Sequence, residues 1–512
     1  MLLSDKYRDK RGIRDMPGTV TASMLYNFVQ CPHRVSLDLY GNPADRDPVS
    51  VFVQLLWEKG NAFEQEVIRD LKIPFTDLSS FRGEKKEAAT SEAMRRRDAL
   101  IYSGRIRAGE LVGEPDLLRR QNNGYVAGDI KSGAGEEGAS DLEEGKPKKH
   151  YAVQLALYTD ILEKIGMSGG RCPFVWDVHG KEITYDLEAL QGNRKAATLW
   201  SIYQEVLSQV ISINSGIEQT LPAYAGVCKL CHWRTVCMNA ILRANDLTLV
   251  PELGRSKRDA MLAYVRTVSE LAHIDINSLL RGNKSVIPNI GPETLLKFQT
   301  RARLQVKPDA EPFLTEPAAL PGSALEIFFD IETDPMRDVC YLHGFTERRN
   351  QDNCTETYYP FFAEEPTPEE EERAFAGSWQ YIRSSRPCVI YYYSKYERTI
   401  WRKLQKKYPH VATEQEIEDL FSPEQSVDLY FDVVQRKTVW PTRDHSIKTL
   451  AIYLGFAWRD TDPSGASSIE WYHRWVETKD GSIRKRILEY NEDDCIATRI
   501  LLDGIRKLKV QG

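Results

Sequence analysis

At 512 residues the chain exceeds what one hydrophobic core usually organises, so two large domains with room for a smaller one are expected. Apolar residues make up 42% and charged residues 28%, and no apolar run approaches the about 18 residues a bilayer span requires, which excludes a helical membrane protein. A net charge of −6 excludes a global basic field, so any surface for nucleic acid has to be local.

Met1–Gly18 is charged from Asp5 onward and lacks the apolar centre of a secretory signal, so the expected location is the cytoplasm. Thiols stay reduced there. Nine cysteines along so long a chain therefore argue for metal binding or burial, and against a disulfide framework.

The first region, residues 1–242, opens with helical signals. Cys31 stands at the end of Thr21-Ala-Ser-Met-Leu-Tyr-Asn-Phe-Val-Gln, before Pro32-His33-Arg34. Glu64 follows Gly60-Asn-Ala-Phe on a predicted helix. The basic groups Arg95-Arg96-Arg97, Arg119-Arg120 and Lys146/Lys148/Lys149 are local candidates for a phosphate-binding face, although such runs are more often simply solvated.

Leu111–Arg120 and Tyr125–Lys131 read as strands joined by the turn signal Gln121-Asn122-Asn123-Gly124. If Asn122-Asn123 turns, Asp116 faces Asp129; if Asn123-Gly124 turns, it faces Lys131. Either register puts Asp116, Asp129 and Lys131 on one face, where two carboxylates could share a divalent cation and a lysine could polarise a phosphate. On the helix expected from Lys149 to Ile165, Gln154 and Tyr158 are four apart and share a face.

Cys228-Lys-Leu-Cys231 and Cys237 form C-x2-C-x5-C. Three thiolates so spaced can aim at one centre and need a fourth ligand, another Cys or a His, for an iron-sulfur cluster or a tetrahedral zinc. Cys31 supplies a thiol, and His33 and His232 are the rivals for zinc.

Residues 243–322 read as helices followed by a linker. Lys257–Ala272 has helical apolar spacing, Ile290-Gly291-Pro292 precedes a helix over Glu293–Leu304, and Pro308–Gly322 is rich in Pro and Ala. Ile287–Leu295 faintly resembles a helix-hairpin-helix turn, whose amides bind a DNA phosphate.

Residues 323–512 alternate strands (Leu325–Ile331, Cys388–Tyr393) with helices (Pro368–Arg383, Lys395–Lys407, Arg484–Leu502), a mixed α/β pattern. The first strand ends in Asp330-Ile-Glu332, two acids projecting to one side. Tyr490 and Asp494 share a face of the last helix, with Asp493 beside them.

These residues carry a resemblance. Cys31 in S-x-x-x-x-F-x-x-C-P, three cysteines at the module's end and, between them, Glu64, P-D at Asp116, D-x-K at Asp129/Lys131 and Q-x-x-x-Y at Gln154/Tyr158 resemble the iron-sulfur branch of the RecB-like PD-(D/E)XK nucleases. That branch includes AddB and the CRISPR-associated iron-sulfur exonucleases. The resemblance implies a restriction-endonuclease-like core in which Glu64, Asp116 and Asp129 bind Mg2+ or Mn2+. It also implies that Cys31, Cys228, Cys231 and Cys237 hold a 4Fe-4S cluster clasping the two ends of the module.

The C-terminal motifs resemble the DEDD exonucleases, an RNase H-like fold, which implies that Asp330, Glu332, Glu397 and Asp494 hold two metals with Tyr490 orienting water. Glu397 stands where the family has Asp and Tyr393 where it has Asn, so Asp428 remains a rival third acid. The expected function is a deoxyribonuclease acting on single strands or DNA ends, in repair or defence against foreign DNA. No G-x-x-x-x-G-K-[ST] loop is present, so unwinding would need a helicase partner. A nucleic-acid-binding scaffold with silent sites, and an exonuclease directed at RNA, are the alternatives.

Overall fold

Thr21, Ser50 and Thr198 each end an extended stretch and accept a backbone N–H from the turn that follows, starting the helices α1 (Ala22–Gln30), α3 (Val51–Arg69) and α6 (Leu199–Asn214). The computed structural model describes residues 18–138, 145–191, 197–461 and 463–511; Met1–Pro17, on which the reading of the N-terminus rests, lies outside them. No helix among the described residues is long and apolar enough to cross a membrane. The chain forms two compact units, residues 1–222 with 226–237 and residues 223–225 with 238–512.

In the first unit, strands β1 (Thr76–Asp77), β2 (Leu100–Tyr102), β3 (Leu117–Gln121), β4 (Gly124–Ile130), β5 (Phe174–Trp176) and β6 (Glu182–Thr184) make one sheet in the order β6-β5-β4-β3-β2-β1. The β3–β4 hairpin pairs Leu117 with Gly128, which makes Asn122-Asn123 the turn, with Asn122 at φ +54°. The strand expected over Leu111–Arg120 is two. Leu111–Gly113 joins Val20–Thr21 and Ile106–Ala108 in a separate sheet, and Glu114-Pro115-Asp116 intervenes, where proline has no N–H to offer a ladder.

Helix α5 (Lys149–Lys164) is buried at every position from Tyr151 to Leu162, packed between α1 and α6 and against the sheet. Helix α2 (Pro32–Tyr40) begins immediately after Cys31, and α4 (Gly83–Arg95) leads into the sheet.

In the second unit, β7 (Leu325–Asp334), β8 (Val339–Arg349), β9 (Asp352–Phe362), β10 (Val389–Tyr392) and β11 (Ser426–Asp428) form a sheet in the order β9-β8-β7-β10-β11. The first three strands are antiparallel in succession, and β10 and β11 run parallel to β7. Helices α10 (Pro368–Ser384), α11 (Tyr396–Lys407), α12 (Glu414–Leu420), α13 (Ile447–Tyr453), α14 (Gly465–Thr478) and α15 (Gly481–Lys507) pack around it.

The helix expected over Lys257–Ala272 is broken into α7 (Gly254–Met261) and α8 (Val268–His273), because the Thr267 hydroxyl accepts the Glu270 N–H and starts a new helix. Between α8 and α9 (Pro292–Val306) lies a two-stranded ribbon, Leu280–Arg281 with Lys284–Ser285, just ahead of the Gly291 turn. Within the linker-like stretch, Phe313–Leu314 pairs with Thr438–Val439, so that segment is anchored to the second unit.

Candidate functional site

In the first unit, the β3–β4 hairpin sets two carboxylates side by side. Asp116 precedes β3 and accepts the Ile130 N–H at 3.0 Å, and its own N–H reaches Asp129 Oδ1 at 3.4 Å. The Lys131 ammonium lies 2.9 Å from Asp129 Oδ2 and donates to Gln154 Oε1 at 3.3 Å. Gln154 Nε2 donates to the Tyr158 hydroxyl at 3.0 Å, and that hydroxyl donates to the Glu114 carbonyl at 3.4 Å. Glu64, buried on α3, accepts from the Tyr102 hydroxyl at 2.9 Å.

Burial pushes the Asp129 carboxyl up, with Lys131 opposing and Asp116 adding to the effect. Burial works against the Lys131 ammonium, yet the charges of Asp129 and Asp116 outweigh it and hold its proton more tightly than usual. Two supporting tyrosines escaped the sequence reading: Tyr102 under Glu64, and Tyr151, whose ring centre lies 5.3 Å from the Lys131 ammonium. The signal for Tyr151 was present, three residues before Gln154 on the same helix face.

Cys31 closes α1 and opens α2, at φ −163°. Cys228, Cys231 and Cys237 lie along a 3-10 turn (Gly226–Leu230) and the start of the helix Arg234–Arg243. None of the four is in a disulfide, and all four are partly exposed. Burial raises the Cys231 thiol, and Cys31 and Cys228 are near enough to add to it.

The two segments are sewn together around Asp38 on α2, whose Oδ1 accepts from Trp233 Nε1 at 2.9 Å and sits 2.8 Å from His232 Nε2. The Asp47 N–H donates to the His232 carbonyl at 2.8 Å, and the Thr235 N–H to Asp47 Oδ2 at 2.9 Å. Of the two candidate zinc histidines, His232 is thus engaged with Asp38, and His33 Nδ1 with the Thr220 hydroxyl at 2.8 Å.

In the second unit, Asp330 and Glu332 at the end of β7 meet Asp494 from α15. One oxygen from each lies within 4.8 Å of the others, and among the described residues this is the one group of three or more His, Cys, Asp or Glu drawn so close. Burial, then the charges of Asp494, Glu332 and Glu397, push Asp330 well above the usual carboxylate range. Burial and Asp494 carry Glu332 to about 8, and burial raises Asp494 as well. Carboxylates crowded in a low-dielectric site favour a divalent cation for the same reason that they favour a proton.

Glu397 lies in the first turn of α11, buried and raised to about 8, mainly by burial. The loop that aims it holds Ser394 at φ +134°, a sparsely populated backbone region for serine. The Ser394 hydroxyl donates to Glu397 Oε2 at 3.4 Å. Asp428, at the end of β11, spends Oδ1 on the N–H groups of Tyr430 and Phe431, both at 3.0 Å, capping a π-helical turn over Leu429–Val434. Asp493 is likewise committed, accepting from the Arg459 N–H and Nε at 2.8 Å.

Tyr490 accepts from Lys448 Nζ at 2.8 Å. Lys448, on α13, is the principal residue the sequence reading passed over: its charge pulls down the carboxyls of Asp330, Glu332 and Asp494 together. Neutral donors to the acids were missed with it, Tyr341 on Glu332 among them. Trp458 Nε1 donates to Asp494 Oδ1 at 2.7 Å, and Asn491 Nδ2 to Asp330 Oδ2 at 2.7 Å. Asn491 is seated over Gly344, where an added Cβ would stand 1.6 Å from its Oδ1.

Comparison with known protein families matches residues 22–238 to the PD-(D/E)XK nuclease superfamily and residues 327–505 to the RNase_H superfamily. A search of curated proteins returned no match. Nucleases of these kinds generally use divalent metals such as Mg2+ or Mn2+, which suits the acidic cluster of Asp330, Glu332 and Asp494. The chain thus carries a PD-(D/E)XK nuclease domain at its N-terminus and an RNase H-superfamily domain at its C-terminus.

Proposed function

We propose that this is a metal-dependent deoxyribonuclease of the RecB-like iron-sulfur branch that includes AddB, acting on single strands or DNA ends in repair or in defence against foreign DNA. Residues 1–242 and 323–512 would be its catalytic modules, joined by 243–322. The observation that carries the reading is the convergence of Asp330, Glu332 and Asp494 on one buried point, with Glu397 alongside. An acidic cluster so costly to charge suits a site that binds Mg2+ or Mn2+ and a phosphodiester.

Glu64, Asp116 and Asp129 would hold the metal of the first site, and Asp330, Glu332, Glu397 and Asp494 two metals in the second. Glu397 is favoured over Asp428 as third acid because its charge acts on Asp330, whereas Asp428 is bound to its own cap. When bound, such ions lower the pKa of a coordinated water and neutralise charge gathering on the phosphoryl oxygens. Lys131, kept protonated by Asp129 and Asp116, serves as a fixed cation beside the scissile phosphate, and Gln154 and Tyr158 hold its direction. Tyr490, fixed by Lys448, orients the attacking water in the second site.

Cys31, Cys228, Cys231 and Cys237 would hold a 4Fe-4S cluster. His232 is engaged by Asp38 and His33 by Thr220, which favours an all-thiolate ligand set of the kind that holds an iron-sulfur cluster. Its role is to fasten the module's ends beside the Asp38 contacts. Duplex DNA would require an ATP-driven helicase, and the setting is the cytoplasm.

The test uses the full chain, end-labelled single-stranded oligodeoxynucleotide and Mn2+. Cleavage should fall in Lys131→Ala and in Asp330→Ala and vanish in the double variant, with an oligoribonucleotide cut more slowly. Equal cutting by wild type and double variant, or none by either, refutes an enzyme. Anaerobically purified protein should be brown with about four irons per chain, whereas a colourless protein with stoichiometric zinc refutes the cluster.

A further inference from the structure

Beside the acidic cluster of the second unit, α11 and the π-helical turn enclose a cavity of about 380 Å³ that the candidate catalytic residues leave unused. Its walls include Tyr392, Lys395, Arg398, Phe431, Asp432 and Arg436. Lys395 and Arg398 flank Glu397 along α11, and Asp428, on the cavity wall, is close enough to act on Glu397. The cavity therefore lies within electrostatic reach of Glu397 through Asp428. Its volume falls within the range that holds a small ligand.

The charges in the cavity are divided between committed and uncommitted groups. Glu418 is bound by Arg398 at 2.8 Å and by Arg402 at 2.5 Å. Asp428 caps the π-helical turn, and Asp432 Oδ2 accepts the Asp428 N–H at 3.3 Å. Lys395 and Arg436 are exposed and have no ion-pair partner among the described residues. The Lys395 ammonium stands 4.4 Å from the centre of the Phe431 ring, which is half-buried. Next to Glu397 in the chain, Tyr396 is 47% exposed, its hydroxyl 2.5 Å from that of Thr333, which follows Glu332 on β7.

Uncommitted cations interleaved with aromatic faces are the elements that hold a single strand: phosphates pair with the cations and bases lie on the rings. A π-helical bulge, itself rare and common at functional sites, presents Phe431 to the space.

We propose that this cavity is a nucleotide subsite for the strand being cut, with a base on Phe431 and the adjoining phosphates on Lys395 and Arg436. The strand leads past Tyr396 to Asp330 and Glu332. The proposal rests on the reading of the second unit as a nuclease site. It commits to a single-stranded nucleic acid, because a stacked duplex would keep its bases from the ring, and it leaves the sugar to the assay.

The Lys131→Ala chain isolates hydrolysis at the second site. In that background, Phe431→Ala should raise KM for a thymidylate oligomer about tenfold, near the lower end of what one base stacked on an aromatic ring contributes. Phe431→Trp, which keeps a stacking face, should remain near the parent. Lys395→Gln with Arg436→Gln should flatten the dependence of log(kcat/KM) on log salt by about 1.4, the share of two phosphate contacts on a single strand.

Parallel oligodeoxy- and oligoribonucleotide arms tell which strand the subsite accepts. Photocrosslinking of a 5-bromouracil strand should map to the Tyr392–Arg436 segment, independently of turnover. Unchanged KM, salt slope and crosslink map overturn the subsite, while loss of cutting on Asp330→Asn still upholds the site. If Lys131→Ala cuts nothing, or cuts as well after Asp330→Asn, the underlying reading fails and the subsite with it.

Discussion

Replacing Glu332 by Gln should make the metal-free protein more stable while removing activity at its C-terminal site. Glu332 is 6% exposed, and burial together with the Asp494 charge carries its carboxyl from 4.5 to about 8. At about 1.4 kcal/mol per pH unit that difference is worth about 4.8 kcal/mol, and polarisable surroundings trim it to about 2–3 kcal/mol. The folded chain holds this proton more tightly than the unfolded chain, so between 4.5 and about 8 it binds more protons, and stability falls as pH rises through the window.

Gln never ionises, so the penalty disappears. Calorimetry in EDTA at about pH 8.5 should place Glu332→Gln about 5–10 °C above wild type, at about 2–4 °C per kcal/mol, with the curves converging toward pH 4.5. Mg2+ should raise the wild type more than the variant. A variant that melts at or below wild type at high pH, or a gap independent of pH, would refute the idea that crowded carboxylates strain this site.

Gly344→Ala should place its methyl against Asn491 and dislodge the partner of Asp330, lowering stability by about 1–3 kcal/mol. Hydrolysis at the C-terminal site should fall with it, and calorimetry with Mn2+-dependent cleavage of the Lys131→Ala background measures both. Lys448→Met should slow that hydrolysis about 10²-fold and move the acid limb of its pH–rate profile upward, since the three carboxyls lose the cation that lowers them; Lys448→Arg should partly restore both. An unchanged profile in Lys448→Met would show that the lysine only packs.

What could be read in the sequence was chemistry whose spacing coincides with a secondary-structure period. Asp330 and Glu332 alternate on a strand, and Tyr490 and Asp494 are one helical turn apart, so local geometry alone brings each pair to one side. Lys448 and Trp458 reach the same acids from segments whose approach is tertiary, whereas Asn491 lies within the Tyr490–Asp494 turn and only its partner Asp330, on a distant strand, is hidden from the sequence. Strands β8 and β9 were not anticipated. Their pattern is obscured by charge, since buried Arg348 pairs with Glu326 at 2.6 Å and with Asp503 at 2.8 Å. The proposed preference for Glu397 over Asp428 likewise rests on a backbone cap that no spacing discloses.

Because Cys31 and the Asp38 contacts meet residues 228–237, the first unit is completed by its last-made segment. During synthesis, Asp116, Asp129 and Lys131 leave the ribosome roughly 100 residues before Cys237, a delay of about 5–20 s at typical elongation rates. Until then His232 and Trp233 are absent from Asp38, and α2 lacks the partners that fasten it. A nuclease assembled in this order comes of age only once its full N-terminal module has been translated, so truncated products would be born without a finished blade.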